Sequence, residues 1–249
     1  LHGRFPNILD DKVIGNQAKE LYNDAKEMLD KIINEKWLVA KACFGIYSSN
    51  SVGDDIEIYS DEKRNDVKSK FITLRQQLKK REGIPNLALS DFIAPKESKL
   101  NDYLGVFCVT AGFGCDEKAN EFIENNDDYS SIMIKALADR LAEAFAEYLH
   151  REIRVNYWGY SPNEEINNDG LIKEKYRGIR PAPGYPACPD HLEKETIWEL
   201  LSVEKSIGVK LTENLAMWPA ASVSGYYFSN PESKYFGLGK IKDDQLLDY

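Results

Sequence analysis

Thr110-Ala111-Gly112-Phe113-Gly114-Cys115-Asp116 is the stretch whose reading decides the fold. The apolar run from Tyr103 to Thr110 reads as a strand, the Gly-x-Gly as a turn, and the residues after Asp116 as a helix, which is how a dinucleotide-binding unit begins. The rest of that unit is missing. The fingerprint's third glycine is absent, the motif sits mid-chain, and no β-α-β alternation with a downstream ribose-binding acid follows. The stretch therefore reads as a tight turn with Asp116 as the N-cap of the next helix. The dinucleotide-binding reading is therefore rejected, and the chain reads as strand pairs interleaved with helices.

Upstream, Ala18, Leu21, Tyr22, Ala25, Met28, Leu29, Ile32 and Ile33 follow three-four spacing and predict an amphipathic helix over residues 17–36. Residues 37–49 predict a strand, Ser49-Asn50-Ser51 a turn, and Ile56 to Tyr59 the partner strand. Asp54 and Asp55 stand together at that strand's entrance. Two adjacent acids suit metal ligation or acid-base work, but no third ligand lies near, so a solvated turn is the better reading. Val67, Phe71, Leu74 and Leu78 predict a second helix, closed by Gly83 and Pro85. Residues 87–92 predict a short strand.

Downstream, residues 129–151 predict the longest helix, with Ile132, Met133, Ala136, Leu137, Leu141, Ala144, Phe145, Tyr148 and Leu149 as its packing face. Glu143 and Glu147 lie one turn apart on the flank of that face, so that one of them is placed to look into a pocket; a solvated face is the plainer alternative. His150, at the helix end, reads as a partner of the helix dipole. The aromatic turn at 157–162 and the polar loop at 163–170 mark a candidate subdomain boundary. Asp190 and Glu193 resemble a capping box for a helix through Val203, with His191 in its first turn. Met217 to Gly225, rich in small residues, reads either as an open surface for a large flat partner or as packing beneath a strand. Strands are predicted at 226–229 and 234–241.

With 249 residues, 43% of them hydrophobic and 11% aromatic, the chain is long and apolar enough for a substantial core. A net charge of −9 with no run of lysines argues against nucleic acid as a partner. Cys43, Cys108, Cys115 and Cys188 share no CxxC spacing, so a disulfide framework or zinc site is not expected, and a reducing cytoplasmic setting is. No apolar run is long enough to cross a membrane. Leu1 to Pro6 lacks the layout of a signal peptide, and residues 243–249 begin a helical pattern that stops within a turn, so both ends read as cuts within a longer protein.

The stretch richest in chemistry is Arg180-Pro-Ala-Pro-Gly-Tyr, running on through Pro186-Ala187-Cys188-Pro189. Its prolines fix φ and remove donors, so it is neither helix nor central strand but a stiff, extended loop. Such a loop holds Arg180 and Tyr185 at a set separation, while Gly184 and Ala182 leave room for a close approach. A guanidinium fork suits a carboxylate, and a tyrosine offers an aromatic face with a hydroxyl. The alternative is a polyproline-like connector with a solvated arginine.

This loop, together with Ala216-Met-Trp-Pro-Ala-Ala-Ser-Val-Ser-Gly, Val52-Gly-Asp-Asp-Ile-Glu-Ile-Tyr and Lys135-Ala-Leu-Ala-Asp-Arg-Leu-Ala-Glu-Ala, resembles the C-terminal activation domain of cobalamin-dependent methionine synthase over essentially the whole chain. The resemblance implies one C-shaped α+β domain spanning residues 1–249, built on a twisted antiparallel sheet. It also implies reductive reactivation: when the cobalt falls to inactive cob(II)alamin, flavodoxin or a related reductase supplies an electron, and S-adenosylmethionine supplies the methyl group. The cobalamin is held by another domain of the same enzyme. By the resemblance, Arg180 pairs with the methionyl carboxylate, Ala182, Gly184 and Tyr185 cradle the ligand, and Tyr235 joins them. Phe236 stands where the family often has tyrosine, so the aromatic ring is kept without its hydroxyl. Glu174 and Glu143 match acids near the family's pocket, and a further ligand aspartate would precede Leu1. No catalytic acid, base or metal ligand is implied within this chain. Two other readings compete: a free-standing S-adenosylmethionine-dependent methyltransferase, against which the missing glycine-rich motif argues, and a docking module that binds no small ligand.

Overall fold

The computed structural model describes residues 3–242 and residue 245. After helix α1 (Gly15–Glu35), strands β1 (Val39–Val52), β2 (Asp55–Tyr59) and β3 (Val67–Phe71) follow, then β4 (Asp102–Phe113). Helices α2 (Cys115–Glu124), α3 (Asp128–Glu152), the short α4 (Asn168–Ile172), α5 (Glu193–Leu201) and α6 (Val203–Ile207) come next. The two-residue strands β5 (Lys210–Leu211) and β6 (Met217–Trp218) form a small hairpin ahead of β7 (Ser222–Tyr227). The main sheet has the order β3-β2-β1-β4-β7, and every pairing in it is antiparallel. This is the α+β antiparallel arrangement that the family resemblance implied, and it is not the dinucleotide-binding fold that the glycine motif argued against.

Strand β4 sorts the core by its alternation. Leu104, Val106 and Cys108 face a cluster with Ile56, Ile58, Phe71, Tyr226, Phe228 and the helices α5 and α6. Phe107, Val109 and Ala111 face α3 on the other side. Both faces of β4 are covered, so nearly the whole strand is buried, as expected for the middle of a helix-sheet-helix stack. Helix α3 starts where Asp127 accepts a hydrogen bond from the Ser130 amide at 3.0 Å. Its contact stripe is Ile134, Ala138, Ala142 and Ala146, spaced four residues apart. Small side chains let the helix lie close on the sheet, whereas Ile132 and Tyr148, expected in the packing face, are 69% and 57% exposed.

Several expectations are corrected. Residues 67–71 form an edge strand rather than a helix, because Val67-Lys68-Ser69-Lys70-Phe71 also alternates and β2 offers a ladder that the isolated spacing could not reveal. Residues 89–92 make a 3-10 turn rather than a strand, since the Asp91 carboxylate accepts from the Ala88 amide at 2.9 Å. The turn after β1 lies at Gly53-Asp54, not at 49–51. The N-cap of α2 is Gly114, at φ +90°; Asp116 sits in the first turn and accepts from Trp218 Nε1 at 3.3 Å. Asp190 accepts from the Leu192 amide at 2.8 Å, but Glu193 turns away from any capping box to take the Ile72 amide at 3.1 Å. Residues 234–241 form no strand; the segment is held by separate hydrogen bonds, among them Leu238 N donating to Pro186 O at 3.0 Å and Gln76 Nε2 donating to Gly237 O at 2.8 Å. Of the two readings of Met217–Gly225, packing holds for Pro219, Ala221, Ser224 and Gly225, which are buried with Ala221 in the α3 cluster, while Trp218 and Ala220 stay exposed. The helical pattern at 243–249 falls outside the described residues, apart from Gln245.

Glu193 gives the fold a pH signature. It is almost fully buried, its Oε2 has no hydrogen-bond partner, and burial pushes its carboxyl up to about 7. A carboxyl with a raised folded pKa favours the folded state below its unfolded value, near 4.5, and loses that contribution as pH rises through about 7. Glu193→Gln is therefore expected to melt higher than the parent at pH 8, by roughly 5 °C, with the gap closing toward pH 4.5. Parallel melting curves at every pH would show that Glu193 does not titrate in this window.

Candidate functional site

The arginine loop is an extension of the sheet edge. Pro181 O accepts from the Tyr226 amide at 2.9 Å, while Ile179 and Phe228 exchange two backbone bonds at 3.1 and 3.0 Å. Gly225 permits this, because a Cβ there would overlap the Pro181 carbonyl oxygen. Pro181 itself needs no partner for a donor it lacks, so a proline is tolerated in this position. The loop then reverses: Gly184 N donates to Cys188 O at 2.7 Å, Tyr185 N to Ala182 O at 3.2 Å, and Cys188 N to Tyr185 O at 2.9 Å. Gly184 makes the turn at φ +95°, and a Cβ on it would overlap the His191 ring.

Between this loop, the flank of α3 and residues 235–237 lies a cavity of about 500 Å³. Glu143, Glu174, Arg180, Ala182, Tyr185, Tyr235 and Phe236 all line it, with Pro181, Pro186, Ala187, Val223 and Gly237. Seven of the eight site residues expected from the sequence thus line one cavity, although they come from four separate parts of the chain. Gly184 is not in the lining; its place is in the turn that sets Tyr185. Phe236 keeps its ring in use, edge-on to Phe92 at 6.2 Å between centroids.

Arg180 is not a solvated arginine. Its Nη1 donates to Glu147 Oε2 at 2.9 Å and to Tyr176 Oη at 3.1 Å, and its backbone amide donates to Tyr235 Oη at 3.1 Å. Burial is the main influence on Glu147 and pushes its carboxyl above the usual range, with Arg180 and Arg154 pulling the other way. Glu147 and Tyr176 were not among the expected site residues. The signal was the i, i+4 spacing of Glu143 and Glu147, which puts both on one flank of α3.

Beneath this layer sits a polar floor. The helix passes into a π-turn at Ile153–Tyr157, which carries the fully buried Arg154. Arg154 makes a two-pronged pair with Glu164, Nε to Oε2 at 2.7 Å and Nη2 to Oε1 at 2.8 Å, and lies 3.9 Å from the centre of the Tyr176 ring. His150 is fully buried too, stacked on Tyr227 at 5.0 Å and edge-on to Tyr176, so it is not a dipole partner at a solvated helix end. Burial, then the nearby Arg154 and Arg180, hold its pKa well below the usual imidazole value, which keeps the ring neutral. The polar loop at 163–170 is pinned to the end of the helix by Glu164. Removing one partner of such a pair strands a buried charge, so Glu164→Ala is expected to cost about 3–5 kcal/mol in urea unfolding. A loss below about 1 kcal/mol, the range of an exposed pair, would mean that Arg154 finds solvent.

Among the described residues, no group of three or more His, Cys, Asp or Glu side chains is arranged to hold a metal ion, and no helix is long and apolar enough to cross a membrane. All four cysteines are free, and Asp54 is taken up by Arg75, at 2.7 Å, instead of a metal.

Two comparisons bear on this site. The sequence model of the family described as "Vitamin B12 dependent methionine synthase, activation domain" matches residues 1–249. A solved structure described as "Crystal Structure of the MetH Reactivation Domain bound to AdoHcy" is 57% identical, with a TM-score of 0.97, over 100% of this chain and 76% of that one. The chain therefore belongs to the activation domain family of vitamin B12-dependent methionine synthase.

Proposed function

We propose that this chain binds S-adenosylmethionine in the cavity beside Arg180 and presents its methyl group for reactivation of a cobalamin carried by another domain of the same enzyme. The observation that carries the reading is the charge layout of the lining. Two carboxylates, Glu143 and Glu174, and one guanidinium, Arg180, stand among aromatic and small side chains. S-Adenosylmethionine carries one carboxylate and two positive groups, its ammonium and its sulfonium. The fit is sign for sign, and a cavity of about 500 Å³ is within the usual size for a ligand of this kind. The AdoHcy bound by the 57% identical domain is what remains of S-adenosylmethionine once the methyl has left.

In the proposed mode Arg180 takes the ligand's carboxylate, and Glu143 and Glu174 face its positive groups. Tyr185, Tyr235 and Phe236 offer ring faces and edges to the adenine, with Ala182 and Gly184 keeping the loop slim beside it. When brought to this site, cobalamin supplies the cobalt nucleophile that accepts the methyl. The carbon-sulfur bond breaks with its electron pair left on sulfur, so no proton is moved, and orientation is the contribution this chain makes. The reading further takes residues 1–249 as one domain of a cytoplasmic enzyme, with free thiols suited to a reducing compartment and flavodoxin or a related reductase as electron donor.

Arg180→Ala is expected to weaken S-adenosylmethionine binding by about 1.5–3 kcal/mol in calorimetry, and Arg180→Lys to recover only part, since lysine lacks the planar fork. Unchanged affinity in a folded variant would remove Arg180 from the site. Labelled methyl from S-adenosylmethionine is expected to appear on the cobalamin domain only when that domain, a reductant and this chain are all present. Failure of this chain to bind S-adenosylmethionine, with docking to the cobalamin domain intact, would favour a pure docking module.

A further inference from the structure

Nothing in the ligand chemistry above gives a task to Glu147, a carboxylate that does not line the cavity and lies close behind its one guanidinium. Its charge works against a ligand carboxylate arriving on the far side of Arg180, so electrostatic attraction is not what it supplies. Its geometry is another matter. Both hydrogen bonds from the Arg180 side chain leave from Nη1, to Glu147 Oε2 at 2.9 Å and Tyr176 Oη at 3.1 Å. The Nε and Nη2 donors make no hydrogen bond among the described residues, and those two form the edge that matches a carboxylate with two parallel bonds. Glu147 is itself fixed. It projects from α3, one turn beyond Glu143, and its Oε1 is buried against the floor that holds His150, Arg154 and Tyr227.

We propose that Glu147 is a positioning residue: by gripping Nη1 it sets the rotation of the Arg180 guanidinium and turns the Nε/Nη2 edge toward the cavity for the carboxylate of S-adenosylmethionine. The inference rests on the function proposed above and adds the residue through which Arg180 acquires its direction. Without the grip, a long side chain with several free rotations has to be ordered by the ligand itself.

The test separates the hydrogen bond from the charge by comparing two neutral replacements of similar length. Glu147→Gln keeps an oxygen that accepts from Nη1, whereas Glu147→Met keeps the bulk and removes the acceptor. Calorimetry would use S-adenosylmethionine and 5′-methylthioadenosine, which has the adenosine and thioether but no amino-acid carboxylate. Glu147→Gln is expected to bind S-adenosylmethionine about tenfold more tightly than Glu147→Met, with the two variants within about twofold for methylthioadenosine. Equal affinities of the two variants for S-adenosylmethionine would overturn the proposal. So would an equal loss for both ligands in Glu147→Met, which would make Glu147 a general support of the cavity. If Glu147→Met does not fold, Tyr176→Phe, which removes the second acceptor of Nη1, is expected to show the same selective loss at about threefold. No selectivity there would also overturn it. Absence of S-adenosylmethionine binding by the parent chain is a different result, seen before any variant is made, and would remove the proposed function along with this inference.

Discussion

The site depends on one unusual edge contact, the Tyr226 amide donating to the carbonyl of Pro181. An edge strand with free donors is a liability, and β7 spends one of its own on a proline-rich segment that cannot extend the ladder further. Gly225 lets that segment come close, and the Ile179–Phe228 exchange sets its start. From there the prolines carry the rest, because each residue whose φ is fixed leaves less for a ligand to order. The opposite rim, residues 235–237, is secured to the same loop through Leu238 N on Pro186 O and through Tyr235 Oη, which accepts from the Arg180 amide. The two sides of the cavity are thus cross-linked by hydrogen bonds, which explains how a site made mostly of irregular chain holds a defined shape.

Below the rim the protein places ionised groups where water is scarce. Arg154 and Glu164 hold each other with two bonds, whereas Glu147 Oε1, His150 Nδ1, Arg154 Nη1 and Tyr227 Oη have no hydrogen-bond partner among the described residues. Four such orphans in one layer depart from the usual economy of buried polar groups. The layer meets Arg180 through Glu147, and departures from core-packing rules of this kind are what a functional site leads one to expect.

Much of this was legible in the sequence, for reasons that can be named. Three prolines within seven residues kept this segment out of helix and out of a central strand, although it turns back at Gly184 where an extended loop was expected, and the missing third glycine at 110–116 argued against a dinucleotide fold. The acid at 143 was found through helical spacing. What escaped depended on partners far away in the chain. Val67-Lys68-Ser69-Lys70-Phe71 fits both periods, and only β2 decides between them. His150 looked like a helix end because the sequence does not announce that the helix continues into a π-turn, or that Tyr227 and Tyr176 close over the ring. The small residues at 220–225 suggested an open face for the same reason that they fit beneath the loop: small side chains suit any close approach, and the sequence does not say whether the approaching group is a partner or the chain itself.

The shape of the site fits the chemistry proposed for it. An enzyme that moves protons needs a proton donor or acceptor in contact with its substrate, whereas His150 is held neutral and sealed in the floor behind the Tyr176 ring, and His191, packed against Gly184, is not part of the cavity lining. The lining instead offers a guanidinium and two carboxyl groups on a framework stiffened by proline. Side chains of both signs suit a ligand that carries both signs. Displacement at a sulfonium carbon needs the methyl exposed and in line with its acceptor, and in the proposed mode an ion-paired arginine within a cavity open to solvent would hold the far end of the ligand and leave the reacting end free.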